Sequence, residues 1–116
     1  GITWSCAVPS GIDSPCTRFF VSKTPSGNVL LVNNDHKVSR TNMTIYLSED
    51  DGKTWKYKRC IDTHPDISYP DVDFYNGIIY LVYDKNRIPN GKIMFTSFTE
   101  DDIKNPDYIF ELNCIN

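Results

Sequence analysis

Apolar positions along this chain gather into short runs separated by turns that carry glycine. The runs Phe19-Phe20-Val21, Ile45-Tyr46-Leu47 and Ile93-Met94-Phe95 are rich in the β-branched and aromatic residues that pleated, half-buried surfaces favour. Val29–Val32 and Ile78–Tyr83 are nearly continuous apolar stretches without polar alternation, which predicts strands covered on both faces. Each of these two stretches follows a turn containing glycine, Thr24-Pro25-Ser26-Gly27 and Phe74-Tyr75-Asn76-Gly77. Gly tolerates positive φ because it has no Cβ to clash, so both read as turns between paired strands.

The turns also set a period. Gly77 lies 50 positions beyond Gly27, and Gly52 lies 51 positions beyond Gly1, with Gly-x-Thr-Trp at both Gly1-Ile2-Thr3-Trp4 and Gly52-Lys53-Thr54-Trp55. Self-similarity at this spacing marks a repeat architecture, and a unit of about fifty residues of short antiparallel strands fits one four-stranded propeller blade, for which roughly 40 to 50 are expected. The expected fold is therefore all-β, with antiparallel four-stranded blades. A chain of 116 residues accommodates about two of them. Two blades leave bare end faces, since each repeat completes its core against a neighbour, so the remaining blades of a longer parent or another copy of the chain are expected as partners.

Charge narrows the function classes. The net charge is −3, which offers no broad basic surface for neutralising phosphates, so no nucleic-acid partner is expected. The basic cluster Lys53–Arg59 is interrupted by Thr54, Trp55 and Tyr57 and reads as the solvated edge of an outer strand. No apolar run approaches the roughly 18 residues needed to span a bilayer. Cys6, Cys16, Cys60 and Cys114 show neither a CxxC pair nor metal spacing, and are read as buried or free thiols, with one or two disulfides as the alternative in an oxidising compartment. His36 and His64 sit in polar stretches with no second ligand spaced to help them, so neither a metal nor a cofactor is implied. Thr99-Glu100-Asp101-Asp102 has the form of a helix start.

The most specific stretch is Ser48-Glu49-Asp50-Asp51-Gly52-Lys53-Thr54-Trp55. It matches Ser-x-Asp-x-Gly-x-Thr-Trp at every fixed position and resembles the Asp-box of sialidases and other bacterial-neuraminidase-repeat (BNR) proteins. Its expected role is structural: Asp50 accepts hydrogen bonds in the turn, Gly52 permits a left-handed residue, and Trp55 anchors the following strand. The resemblance divides the chain into residues 1–16 as the end of a preceding blade with a truncated box, 17–66 as a blade with the Asp-box, and 67–116 as a C-terminal blade with a degenerate box.

The order of the remaining residues resembles the C-terminal part of the six-bladed sialidase propeller. There an arginine precedes a strand and an Asp-box, and a tyrosine then precedes a glycine-turned hairpin ending in Tyr-Glu. Here Arg40 precedes the box, Tyr69 follows it, and Gly77 opens a hairpin ending in Tyr83-Asp84. The resemblance implies that Arg40 grips the carboxylate of sialic acid, that Tyr69 is the nucleophile, and that Asp84 is a supporting residue behind the site, where the family's glutamate supports the first arginine of its triad. A planar guanidinium binds a carboxylate through two parallel charge-assisted hydrogen bonds. A neutral phenol avoids the repulsion an anionic nucleophile meets beside that carboxylate, and it needs an adjacent base because its ordinary pKa is near 10. The family's base and acid stand on earlier blades, at positions with no match here. Two departures are evident, Pro70 after the tyrosine and Asp84 in place of glutamate.

Three functions fit this pattern: an exo-sialidase-like glycoside hydrolase acting on sialylated or other acidic glycans, a non-catalytic carbohydrate-binding propeller, and a structural repeat array. The first requires Arg40 and the Tyr69 hydroxyl to share one cavity, opposite the Asp-box turn.

Overall fold

The computed structural model describes residues 1–115. Strands β1 (Phe20–Lys23), β2 (Val29–Asn34), β3 (Met43–Ser48) and β4 (Tyr57–Asp62) form one four-stranded antiparallel sheet in sequential order. Strands β5 (Ile67–Tyr75), β6 (Ile78–Lys85), β7 (Lys92–Phe98) and β8 (Asn113–Ile115) form a second. A one-turn helix, α1 (Glu100–Lys104), stands between β7 and β8. Each sheet is a meander, so each corresponds to one blade-like unit. Residues 1–16 contain no strand.

Two turn chemistries define the hairpins. Asn76 (φ 49°) and Gly77 (φ 77°) form a two-residue loop between β5 and β6 with both central residues left-handed, the arrangement whose twist matches the flanking strands. Gly27 (φ 94°) serves the β1–β2 connection, where its amide donates to the carbonyl of Thr24 at 2.9 Å.

The core lies between the sheets. Leu30, Val32, Met43, Ile45 and Leu47 from the first sheet meet Ile67, Ile79, Leu81, Tyr83, Met94 and Phe98 from the second, and Ile103 of α1 closes one end. Each such side chain contributes roughly 1.5–3 kcal/mol on leaving water. In β2 every residue from Leu30 to Asn34 is buried, as the continuous apolar run predicts. In β6 the expectation of two covered faces fails: Ile79, Leu81 and Tyr83 are buried, while Ile78, Tyr80 and Val82 on the outer face are only half-buried. Tyr80 stacks there on Phe95, with ring centroids 6.3 Å apart.

Because the strands alternate direction, the connections fall on two rims. The β1–β2, β3–β4 and β5–β6 turns and α1 share one rim; the β2–β3 loop, the β4–β5 crossover and the β6–β7 loop share the other. Both rims tie the sheets together. On the first, Ser26 Oγ and Asn28 Nδ2 donate to the Glu100 carboxylate at 2.7 and 2.6 Å, and Lys104 pairs with Glu49 at 2.8 Å. Thr99 caps α1 reciprocally with Asp102, satisfying donors that a helix start leaves open. On the second, the Ile67 amide donates to the Arg40 carbonyl at 3.1 Å, and Asn34 Nδ2 donates to the carbonyls of Thr41 and Ile67, each at 2.9 Å.

Two further expectations need adjustment. Cys6, Cys16 and Cys60 are free but exposed, because two precede the first strand and Cys60 points outward from edge strand β4. In the basic cluster Lys56 and Lys58 are solvated, but Arg59 turns inward and donates to the carbonyls of Asp102, Ile103, Asn105 and Tyr108. That arginine fastens the segment after α1 to the first sheet.

Candidate functional site

On the first rim the Asp-box folds into a closed hydrogen-bonded turn. Asp50 Oδ1 accepts from Ser48 Oγ at 2.7 Å and from the Thr54 amide at 2.8 Å, while Oδ2 accepts from Thr54 Oγ1 at 2.6 Å. Ser48 Oγ also accepts from the Gly52 amide at 2.8 Å. Asp51 (φ 58°) and Gly52 (φ 81°) take the left-handed conformation the tight turn requires. The donors from Thr54 and Ser48 hold the Asp50 carboxyl down at about 2. Trp55 meets Tyr46 edge-on, ring centroids 6.1 Å apart, and so anchors the turn to the outer face of the first sheet. Every fixed position of the box is occupied with its own turn.

The second rim is built differently. Arg40, at the end of the β2–β3 loop, places its guanidinium carbon 5.3 Å from the centroid of the Tyr69 ring. The resemblance paired these two residues, and the structure brings them together. They stand at the opposite ends of the strands from the Asp-box, about 20 Å away across the six residues of β3. Tyr69 is half-buried and not sealed in the core.

How Tyr69 reaches that position is local. The β5–β6 register shifts between Ser68 and Asp71, which leaves Tyr69 and Pro70 outside the ladder. Such bulges re-aim a side chain. Tyr69 sits at φ 56°, and among the described residues it is the only one at positive φ that is not Gly, Asn or Asp. For a bulky side chain that conformation costs about 1–2 kcal/mol. Strain of this kind persists where surrounding contacts impose it, and it clusters at functional sites.

Asp84 lies behind the rim and holds Ser68 and Arg87. Its Oδ1 accepts from Ser68 Oγ at 2.8 Å, and its Oδ2 accepts from Arg87 Nε at 2.6 Å and from Arg87 Nη2. Arg87 in turn lies over Tyr69, its guanidinium carbon 4.0 Å from the ring centroid. Bonds to Asp84, opposed by partial desolvation and aided by Tyr69, hold the Arg87 pKa above its ordinary value. From sequence, Arg18 and Arg87 stand near strand ends that could face the same site, and each reads as a solvated or ion-paired surface residue; the ion pair of Arg87 is present, and Arg87 also lies over Tyr69. The signal for that ion pair was the spacing of three residues after Asp84. Arg18 pairs with Asp71 at 3.3 Å on the same rim. Among the described residues the Arg40 guanidinium makes one hydrogen bond, from Nη2 to the Cys16 carbonyl at 3.3 Å.

Beneath this rim lies a buried polar network. Asp62 accepts from the Tyr83 hydroxyl at 2.8 Å and from the His64 amide and Nδ1 at 2.8 and 2.7 Å. Burial pushes the Asp62 pKa up, but these donors outweigh it and leave the carboxyl below its usual range. Burial, then the bond to Asp62, pushes the Tyr83 phenol far above its ordinary value. His36 Nδ1 is used by the Val38 and Ser39 amides. Among the described residues no group of three His, Cys, Asp or Glu side chains is placed to hold a metal ion.

Three surface cavities, of about 470, 230 and 410 Å³, lie at the Asp-box rim and on the outer face of the first sheet. None of the three is lined by Arg40 or Tyr69, so the shared cavity that the hydrolase reading expects is not among them. What the Arg40 rim presents is an aromatic ring flanked by two guanidinium groups, with one carboxylate behind them.

Two blade-like antiparallel sheets with an intact Asp-box turn define a protein of the BNR class. The chain matches the family described as BNR repeat-like domain over residues 1–81, and it belongs to that family, consistent with a BNR repeat protein of the sialidase superfamily. Searches of curated proteins and of solved structures returned no significant match.

Proposed function

We propose that the Arg40–Tyr69 rim binds the acidic sugar of a glycan, and that the intact propeller to which it contributes is an exo-sialidase-like glycoside hydrolase. The observation that carries this reading is the meeting of Arg40 and Tyr69, 29 positions apart in sequence, on the rim away from the Asp-box. Arg40 has guanidinium donors to spare for a carboxylate. In hydrolysis the Tyr69 oxygen attacks the anomeric carbon as the glycosidic bond breaks, its proton passing to a base while an acid protonates the departing oxygen; water then cleaves the tyrosine–sugar bond, releasing the sugar and restoring the phenol. The domain division at residues 16 and 66 belongs to the same reading, with base and acid on earlier blades and the 116-residue chain alone binding without turnover. Remaining blades or another copy of the chain cover its open sheet faces.

A non-catalytic carbohydrate-binding propeller is the second reading. It is favoured by the three surface cavities, none of which is lined by Arg40 or Tyr69, where the hydrolase reading expects the two residues in one cavity. Hydrolysis of a fluorogenic α-sialoside by the full-length protein separates the two. The hydrolase reading expects turnover that falls at least about a hundredfold in Tyr69→Phe with folding retained. A folded protein without turnover on acidic glycosides leaves the binding module; turnover indifferent to Tyr69→Phe places the nucleophile elsewhere.

A further inference from the structure

We propose that the outer face of the first sheet, beneath residues 10–17, is a binding groove for a small amphipathic amine, a protonated amino group carried on an apolar body. The proposal goes beyond the function read at the Arg40–Tyr69 rim and does not depend on it.

Strand register builds the floor of the groove. Val21 stands opposite Leu31, Leu31 opposite Tyr46 and Tyr46 opposite Lys58, so one row of side chains crosses all four strands, with Asn33 two positions further along β2. This is the face turned away from the core, which takes Leu30, Val32, Ile45 and Leu47. Residues 10–17 lie over the row and are held at two points: Asn33 Nδ2 donates to the Asp13 carbonyl at 3.0 Å, and Arg40 Nη2 to that of Cys16. Two cavities, of about 230 and 410 Å³, lie along this face, and both are lined by Ile12 and Trp55, which makes them adjoining halves of one groove.

The halves differ in chemistry. Pro15, Phe19, Val21 and Leu31 wall the larger one, which suits an apolar body. Asp13, Asp35, Tyr46 and Lys58 line the smaller. Lys58 pairs with Asp35 at 2.7 Å, whereas the Asp13 carboxylate has no ion-pair partner among the described residues, so this half carries a surplus negative charge.

Buried atoms on the floor also want partners. Asn33 Oδ1, the Tyr46 hydroxyl and the Thr17 hydroxyl are buried and make no hydrogen bond among the described residues, and Asn33 and Tyr46 are only 2% and 4% exposed. Turning the Asn33 amide would not mend this: the Asp13 carbonyl only accepts, so Nδ2 must face it and Oδ1 is left as an acceptor. Burial first, then the nearby Asp35 carboxylate, holds the Tyr46 phenol above its ordinary value, so it stays a neutral hydroxyl. Unpaired buried groups cost about 1–3 kcal/mol each, and a guest that satisfies them recovers that cost. An ammonium brings three N–H donors and the charge that Asp13 lacks, and Trp55 offers it an aromatic surface. A carboxylate in the same place would meet Asp13 as a like charge, and an alcohol would bring one donor and no charge.

The test titrates the full-length protein at neutral pH with phenethylamine, phenethyl alcohol and phenylacetate, read by NMR shifts at the Trp55 indole. The groove predicts that the amine binds and shifts Trp55, and that the alcohol and phenylacetate bind at least about tenfold more weakly. Asp13→Asn should weaken the amine by about tenfold and leave the alcohol unchanged. Tyr46→Phe should weaken the amine several-fold without lowering the urea midpoint, because it deletes a buried hydroxyl that has no partner in the fold. An alcohol that binds as tightly as the amine overturns the proposal, as does an amine bound equally well by Asp13→Asn or one that leaves Trp55 unshifted. A Tyr46→Phe protein that is destabilised yet binds the amine like wild type also overturns it, since the hydroxyl then serves the fold. None of these outcomes touches the reading of the Arg40 rim.

Discussion

The two rims of this molecule use polar side chains to opposite ends. At the Asp-box, Ser48, Asp50, Gly52 and Thr54 satisfy one another within seven consecutive residues. At the other rim the groups come from Arg18, Arg40, Tyr69, Asp84 and Arg87, on segments far apart in sequence, and donors remain unused. Backbone strain divides the same way. Left-handed positions in the Asp-box turn belong to Asp51 and Gly52, which adopt them cheaply, whereas the Arg40 rim spends one on Tyr69. A turn closed on itself stabilises the fold; a rim with open donors and an imposed tyrosine is built to meet something else.

The largest effect that could blur this division lies in the buried network under the Arg40 rim. Asp62→Ala should cost about 3 kcal/mol in urea unfolding, because it removes hydrogen bonds to a carboxylate and strands the buried Tyr83 hydroxyl. The pH dependence has a definite sign. The folded pKa of Asp62 is depressed, so its contribution is complete above the unfolded value near about 3.9 and is lost as pH falls through the lower folded value. The stability gap between wild type and Asp62→Asn should therefore narrow below about pH 4. A gap that stays constant into acid would mean that the Asp62 charge contributes nothing and that only the side chain's shape matters.

Asp50→Ala should lower the thermal midpoint by less than Asp62→Ala, because the Asp50 turn is at the surface and water replaces part of what Thr54 and Ser48 provide. It should leave carboxylate binding at the distant rim unchanged. Equal loss of binding in this variant would show that the rims are coupled and that the Asp-box does more than fold.

Legibility in the sequence followed the same division. The Asp-box could be read whole because all its contacts are local, and spacing alone encodes them. The strand content and the two glycine turns were legible for the same reason. The Ile78–Tyr83 run misled because an apolar stretch records what a strand can bury, and the neighbour on its outer face is a separate matter. Arg40 and Tyr69 could be paired only through the order of residues in a family. Arg87 could be placed near a strand end facing this rim, but its contact with Tyr69 was not legible, because it depends on a bulge at Ser68–Asp71 and a left-handed Tyr69, and nothing in the sequence near Arg87 announces either.

The smallest effects give the sharpest contrast, since one backbone region serves opposite ends on the two rims. Gly52 occupies φ 81°, and a methyl group added there would meet only Trp55 Cζ2 at an ordinary 3.8 Å. The cost of Gly52→Ala is thus conformational and should be about 1 kcal/mol. Tyr69→Asn runs the other way: Asn accepts the left-handed region more readily, and the strain it relieves offsets the half-buried ring contacts it removes. Its stability should fall within about 0.5 kcal/mol of wild type, while acid-sugar binding is lost. Measured side by side by urea unfolding, a destabilising Gly52→Ala with a neutral Tyr69→Asn means that the fold needs its special residue at the Asp-box and carries its special residue at the other rim for a ligand. If Tyr69→Asn unfolds the protein as readily as Asp62→Ala, the tyrosine is a packing residue, and the strain at its backbone belongs to the fold.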